Sequence, residues 1–469
     1  MPHRHQPPST GAVIFVLAYC GGLVSVTGSF ALPLLHDLPH LLNASISDVS
    51  WVSTAALLSG AVSTPVLGRI GDMYGKRKVM QLNLLLLTVG SIVCALATSV
   101  WVLVAGRAMQ GMSLAVLPIA MALAKDLLPP AKLNSGIALV SAMLGIGGGL
   151  ALPLAGVMLD LWGWHSAFWL SALLAVFGMV VTAKVIPAVA PGEREPFDVV
   201  GALLLSVVLV ALLLPLSKSS SWGFLQPKPL ACYAIGAVGL LAWFRYEQHP
   251  PVPLVNLHLM RQRPLLLTNI AGVLLGFGMF GNSFITLFLL QAPKDVSHGF
   301  DMSVMGAGLV MLPAAMAIMF MAPVSAKLTN RYGARMTLWT GAAGMGLSFV
   351  TRPFLVGSPF LVGLGAVLVS CGIGIAYGAM PAVVMSYVPI SENSSANAMG
   401  TLGRSLGASI NSAAFAALLS SLTVLHDGDD VARLVAFQIA FGLSAVAALV
   451  AAGLAFSLPR HSALALTSD

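Results

Sequence analysis

Residues 65–77 read "PVLGRIGDMYGKR", and residues 323–335 read "PVSAKLTNRYGAR". Pro, Val, Tyr, Gly and Arg recur at the same places, and Arg69 is answered by Lys327. Weak internal symmetry of this kind marks membrane folds built from two related bundles. The first copy also holds a local oddity. From Gly68 to Lys78 it carries Arg69, Asp72, Lys76, Arg77 and Lys78, in a chain that is only 8% charged. Charge this dense must be solvated or paired, because an isolated ion in apolar surroundings costs several kcal/mol or more.

The flanks of both copies are almost wholly apolar. Hydrophobic residues make up 58% of the 469 and the mean hydropathy is +0.92, more than one soluble core could bury. A polytopic membrane protein follows. Continuous runs such as "MQLNLLLLTVGSIVCALATSV" (80–100) suit helices that span about 30 Å of hydrocarbon, and exclude the short alternating segments of a strand barrel. Cys20, Cys94, Cys232 and Cys371 lie in or beside apolar runs without metal-ligand spacing and read as small buried hydrophobes. "LAYC" (17–20) has bulky Tyr19 where a lipoprotein box wants a small residue, and the apolar run continues to about Leu35. The N-terminus therefore reads as an uncleaved first span.

Apolar runs predict fourteen spans at 11–35, 48–68, 78–98, 101–123, 135–159, 164–187, 199–217, 229–247, 265–291, 303–324, 336–355, 358–386, 395–420 and 432–457. With residue 1 inside, sixteen Lys and Arg fall on the inner side and five on the outer, and Arg107 and Arg404 lie within spans. The positive-inside rule then gives both termini to the cytoplasm, and the net charge of +7 needs no nucleic acid to explain it. Two proline-rich linkers, "PAVAPGEREPFD" (187–198) and "YEQHPPVPLVNLHLMRQRP" (246–264), bracket spans seven and eight. The copies of the repeat stand 258 residues apart, too far for six spans alone. Two inserted spans explain the excess, giving an N-terminal six-helix bundle (1–188), an inserted pair (189–255) and a C-terminal six-helix bundle (256–469).

So organised, the chain resembles the major facilitator superfamily, and within it the fourteen-helix drug:proton antiporter branch. Gly68, Asp72, Gly75, Lys76 and Arg77 match the family's loop signature. Arg107, Gln110 and Gly111 of "VLVAGRAMQGMSLAVLP" look like its second motif. "GIGGGLALPLAG" (145–156) resembles the antiporter motif through Gly145, Gly148, Pro153 and Gly156, with Leu152 and Val157 where glycines are usual. "HPPVPLVNLHLMRQRP" and "LGRSLGASI" are also similar to the branch. The resemblance implies an all-α major facilitator fold and alternating access. It implies that Asp72 faces the N-terminus of span thirteen near Ser394 and Ser395, favoured there by unpaired N–H groups and the helix dipole, and that Lys76 and Arg77 pair with Asp126. Topogenic charge alone accounts for Lys78 and Arg69.

Arg107 and Arg404 are the basic residues set well inside spans, and an intramembrane ionisable group is a functional candidate by default. Snorkelling is the alternative for Arg107, and helix-to-helix holding for Arg404. Gln110, Asn269, Asn282, Thr286 and Asn411 suit a partly polar cavity, or equally interhelical hydrogen bonds. "HDLPH" groups His36, Asp37 and His40 at the outer end of span one as a pH-sensitive gate in preference to a metal site. One departure from the family stands out: "LVSVTGSFALP" has Val24 where cation exporters often carry an acid, and every Asp and Glu lies in a loop or near a span end. The expected function is secondary export of hydrophobic or amphipathic small molecules across the cell membrane, coupled to protons through alternating access. The alternatives are an uncoupled facilitator or importer and, from another class, a membrane enzyme. With no P-loop motif, neither a nucleotide nor another cofactor is expected. Nor is a metal, and the working unit is expected to be a monomer.

Overall fold

The computed structural model describes residues 9–30, 38–187, 197–218, 222, 226–249, 257–292, 294, 299–389, 393–426 and 429–459. Its long helices are α1 (Thr10–Ser29), α2 (Ile46–Tyr74), α3 (Lys76–Ala95), α4 (Val100–Met112, then a 3-10 turn at Ser113–Ala115, then Val116–Leu127), α5 (Pro130–Trp162), α6 (His165–Val185), α7 (Val199–Ser217), α8 (Pro227–Tyr246), α9 (Arg263–Gln291), α10 (Val304–Tyr332), α11 (Ala334–Thr351), α12 (Pro359–Met385), α13 (Asn393–Ser421) and α14 (Leu434–Phe456). Among the described residues, ten helices are long and apolar enough to cross a membrane, and Val199–Pro215 is a shorter apolar one.

Two features depart from the sequence reading. The chain is not purely helical, since β1 (Thr423–His426) and β2 (Asp429–Ala432) form an antiparallel hairpin before α14. The charged stretch is also not a loop. Helix α2 runs to Tyr74 instead of residue 68, α10 runs to Tyr332 instead of 324, and a single glycine makes each turn into the next helix. Gly75 (φ +107°) and Gly333 (φ +84°) both adopt a backbone that a Cβ disfavours. Apolarity stops where the bilayer stops, but an exposed helix end continues as long as its side chains reach water or partners.

The packing repeats. In the first half α1 lies on α5, α2 on α4, and α3 on α6 and α4. In the second half α9 lies on α13, α10 on α12, and α11 on α14 and α12. Small residues allow the tightest pairs: a Cβ on Gly147 of α5 would meet the Gly22 carbonyl of α1 at 2.6 Å, and one on Gly276 of α9 would meet the Arg404 carbonyl at 2.3 Å. The halves join along α5–α10 and α2–α13, which are equivalent pairs under the repeat. Helix α8 packs on α7, and α7 lies against both α2 and α13. Leu205 and Leu209 of α7 share a core with Ala61 of α2, Trp243 of α8 and Leu402 of α13. The extra pair is therefore attached at a junction of the halves, with Val238 and Leu241 of α8 turned outward.

Candidate functional site

The end of the molecule that carries Gly75 and Gly333 gathers the charges of the opening stretch. Lys76, the first residue of α3, places Nζ 2.7 Å from Asp126 Oδ2 in the last turn of α4 and 3.7 Å from Asp72 Oδ1 in the last turn of α2. Asp72 is buried at 9% exposure. One ammonium thus joins three helix ends. Arg77 does not join Asp126. It donates to the Ala183 carbonyl at 2.6 Å, one of the carbonyls that the end of α6 leaves without an intrahelical partner. Hydrogen bonds cross between the halves here: Lys125 Nζ donates to the Met385 carbonyl at the end of α12 (3.3 Å), and Asn134 Nδ2 of α5 to Asn330 Oδ1 of α10 (2.5 Å). Asn330 is the repeat counterpart of Asp72. Its bond to the first turns of α5 parallels the expected bond of Asp72 to the start of α13. The side chains of Ser394 and Ser395 lie outside the described residues.

At the middle of the first half Arg107 is buried and spent. Its Nη1 donates to Gln110 Oε1 (2.8 Å) and the Thr27 carbonyl (3.2 Å), its Nη2 to the Gly28 carbonyl (2.9 Å), and its Nε to the Val52 carbonyl (3.5 Å). Gln110 Nε2 in turn donates to Ser91 of α3 (2.8 Å). The guanidinium therefore ties α4 to the last turn of α1 and to α2, and does not snorkel. Gly111 lets α2 approach, since a Cβ there would fall 2.2 Å from the Ala56 carbonyl.

The second half treats its arginine differently. Arg404 of α13 is 6% exposed and donates from Nη2 to Thr401 Oγ1 (2.8 Å), while Nη1 stands 3.9 Å from Met380 Sδ. Its guanidinium carbon lies 5.4 Å from the ring centre of Tyr377 on α12. Neither Arg404 Nε nor the Tyr377 hydroxyl finds a hydrogen-bond partner among the described residues.

The family model for the Major Facilitator Superfamily matches residues 17–412. The chain belongs to the Major Facilitator Superfamily. Members of this superfamily that resemble it include the "Tetracenomycin C resistance and export protein" of Streptomyces glaucescens, 28% identical over 81% of this chain and 70% of that protein. "Multidrug resistance protein Stp" of Mycobacterium tuberculosis is 26% identical over 88% of this chain and 75% of its own length. The fold is shared with the human organic anion transporter MFSD10 (TM-score 0.68, 17% identity, 96% of this chain and 100% of that one). It is shared too with the proton:xylose symporter XylE (TM-score 0.64, 13% identity, 96% of each). The chain is thus a multi-pass membrane transporter of small molecules, related to proteins named for drug and antibiotic resistance.

Within this superfamily member the remaining predicted residues scatter. Asn282 donates to the Ala366 carbonyl and Ser370 Oγ of α12, both at 3.3 Å. Thr286 accepts from Arg352. That arginine, one of the five basic residues on the outer side, is 1% exposed, with its guanidinium 4.4 Å over the Phe441 ring. Lys218, another of those five, is covered too, over Trp51 and donating to Ser50. Asn269 donates to Met260 Sδ at 3.6 Å, and Asn411 packs where Gly281 leaves room. In the antiporter-like stretch Gly148 faces Ser25 and Ser29 of α1, and Gly156 faces Met305 of α10. The surroundings of Gly145 and Pro153, the residues His36 and Asp37, and the His40 side chain lie outside the described residues. Residue type alone did not single out Tyr377. Its signal is the i, i+3, i+4 polar row Asn397, Thr401, Arg404 and Asn411 on one side of α13, which needs a facing partner.

Proposed function

We propose that this chain exports hydrophobic and amphipathic small molecules across the cell membrane by alternating access, with fourteen spans, both termini in the cytoplasm, and protons as the counter-ion. The observation that carries the reading is the clasp at the basic end, where Lys125–Met385 and Asn134–Asn330 hold the halves together beside the Asp72–Lys76–Asp126 cluster. Hydrogen bonds between two repeat-related halves are a two-state element: making them closes one face, and breaking them frees it. The lysine and arginine bias assigns that face to the cytoplasm, so the described conformation is the one closed inward. The direction and the substrate class rest on the relatives named for tetracenomycin C export and multidrug resistance.

Protons would be handled by groups near the two surfaces: His36, Asp37 and His40 outside, and Asp72 and Asp126 inside, with Arg107 as a fixed charge between them. A second reading, uncoupled movement down the substrate's own gradient, is favoured by one observation, Val24 in place of an acid in α1. Reconstituted vesicles decide. An imposed proton gradient should drive uphill accumulation of rhodamine 6G, and an equal rate with and without the gradient would leave the uncoupled reading.

A further inference from the structure

We infer that the Arg404–Tyr377 pair is the recognition point for an anionic group, a carboxylate or phenolate, on the transported molecule. The inference rests on the export reading for the word "transported", and on the geometry for the site itself. Four features carry it. Arg404 and Tyr377 are 6% and 4% exposed, so water does not supply what they lack. Arg404 Nε and the Tyr377 hydroxyl are donors without acceptors among the described residues, and both belong to one contact, the cation lying over the ring. No carboxylate pairs with Arg404 among those residues. The neighbours that it has are one hydroxyl, one thioether and one ring face, and none carries a negative charge.

Arg107 and Arg352, the other arginines buried within the helical bundles at 3% and 1% exposure, are held differently. Arg107 meets four oxygens, three of them backbone carbonyls on α1 and α2. Arg352 is enclosed by α9, α12 and α14, all in its own half. Arg404 sits on α13, the helix that packs on α2 and α4 of the other half, along the boundary that must open when the halves rock. A buried cation without a counter-charge is costly, and an arriving anion removes that cost. A carboxylate is acceptor-only and planar. It can take Nε–H and a second guanidinium hydrogen side by side, as Arg forks do, while the Tyr377 hydroxyl donates to the same oxygen pair. Met380 and the Tyr377 ring offer the adjoining apolar body a polarizable wall.

The test uses three dyes with purified full-length protein: fluorescein, which carries a carboxylate and a phenolate, rhodamine 6G, a cationic ester on the same ring system, and uncharged Nile red. Fluorescein should bind saturably. Arg404→Gln should weaken it at least about tenfold, the size of a lost charge-assisted hydrogen bond, Arg404→Lys should weaken it less, and rhodamine 6G and Nile red should change less than about twofold. Tyr377→Phe removes one hydroxyl and little else, so it keeps the test sound if Arg404→Gln folds poorly. It should weaken fluorescein alone, by several-fold. Absence of saturable fluorescein binding, or an equal loss for all three dyes, overturns the anion site. Transport of rhodamine 6G in vesicles with no Arg404-dependent fluorescein binding leaves export standing and removes the site. Arg404-dependent fluorescein binding with no dye transported leaves the site and removes export.

Discussion

Lys76 Nζ lies 2.7 Å from Asp126 Oδ2 and 3.7 Å from Asp72 Oδ1, so one cation serves two carboxylates at the meeting of α2, α3 and α4. All three side chains are about nine-tenths covered or more, which makes the loss of the cation worse than the loss of either acid. Lys76→Met strands two neighbouring carboxylates and should cost roughly 3 kcal/mol of stability, read as a lower unfolding temperature in detergent. Asp126→Asn should cost less, and Lys76→Met with Asp126→Asn should recover part of the loss. Asp72→Asn should leave the protein in the membrane and slow transport, because it removes charge beside the bonds that join the halves and leaves Lys76 its nearer partner. Equal destabilisation by Lys76→Met and Asp126→Asn would show that the cluster does not work as a unit.

The two turning glycines make a matched pair. A Cβ on Gly75 or Gly333 would meet nothing within 4 Å, so the obstacle to a side chain there is the backbone angle and not space. Alanine at either should cost about 1–3 kcal/mol. Gly344, inside α11 with equally open surroundings, is the control, where alanine should stabilise by roughly 0.5–1 kcal/mol. Thermal unfolding of the three single variants checks the contrast in sign, and a stabilised Gly75→Ala would remove the strain argument.

Much of this molecule could be read before its structure. Apolar runs located the long helices because burial in hydrocarbon demands apolar residues over a whole span, and the Pro-Val-Tyr-Gly-Arg repeat located the matching turns at Gly75 and Gly333 because equivalent turns need equivalent glycines. Helix ends were less legible: Asp72 and Arg331 look like loop residues by charge, yet each sits on a helix that continues to the glycine. The Lys76–Asp126 pair was expected from the family resemblance, whereas the bond of Arg77 to a carbonyl was not, since any helix end supplies such an acceptor and sequence does not say which is near. Arg352 escaped notice for a related reason. It opens "RPF" at the outer end of the predicted span 336–355, where a basic residue is expected to meet water, and only tertiary packing brings Thr286, Val362 and Phe441 around it.

Arg107 holds α1 to α4 through a fork, and a lysine cannot reproduce it. A single ammonium has three donors on one atom, while the acceptors Thr27, Gly28 and Gln110 are spread around a planar guanidinium. Arg107→Lys should fold and insert, yet lose transport by at least about tenfold, since each unmet bond to a charged donor is worth about 1.5–3 kcal/mol. Gln110→Leu should lose less, because the two α1 carbonyls keep their donor. Dye efflux from cells, normalised to protein in the membrane, measures both. Wild-type efflux by Arg107→Lys would reduce the arginine to a charge that any cation supplies.

The count of spans depends on α7 and α8. Helix α7 contacts α2 and α13 while α8 contacts chiefly α7, so the pair could in principle lie along a bundle without crossing the bilayer. Its composition argues otherwise: α8 carries Lys228 at one end and Arg245 at the other, and its twenty residues from Pro227 to Tyr246 turn Ile235, Val238 and Leu241 outward. A helix of that length rises about 30 Å, one hydrocarbon thickness. Gln226 and Gln248 flank α8 and are both exposed, which makes them accessible reporters. With Cys20, Cys94, Cys232 and Cys371 replaced, a single cysteine at Gln226 should react with an impermeant maleimide in intact cells. One at Gln248 should react only after the membrane is opened. Labelling of both in intact cells, or of neither, would mean that α8 does not cross. The inserted pair would then be a surface element, and the lysine and arginine bias of the second half would have to be counted again from α9 onward.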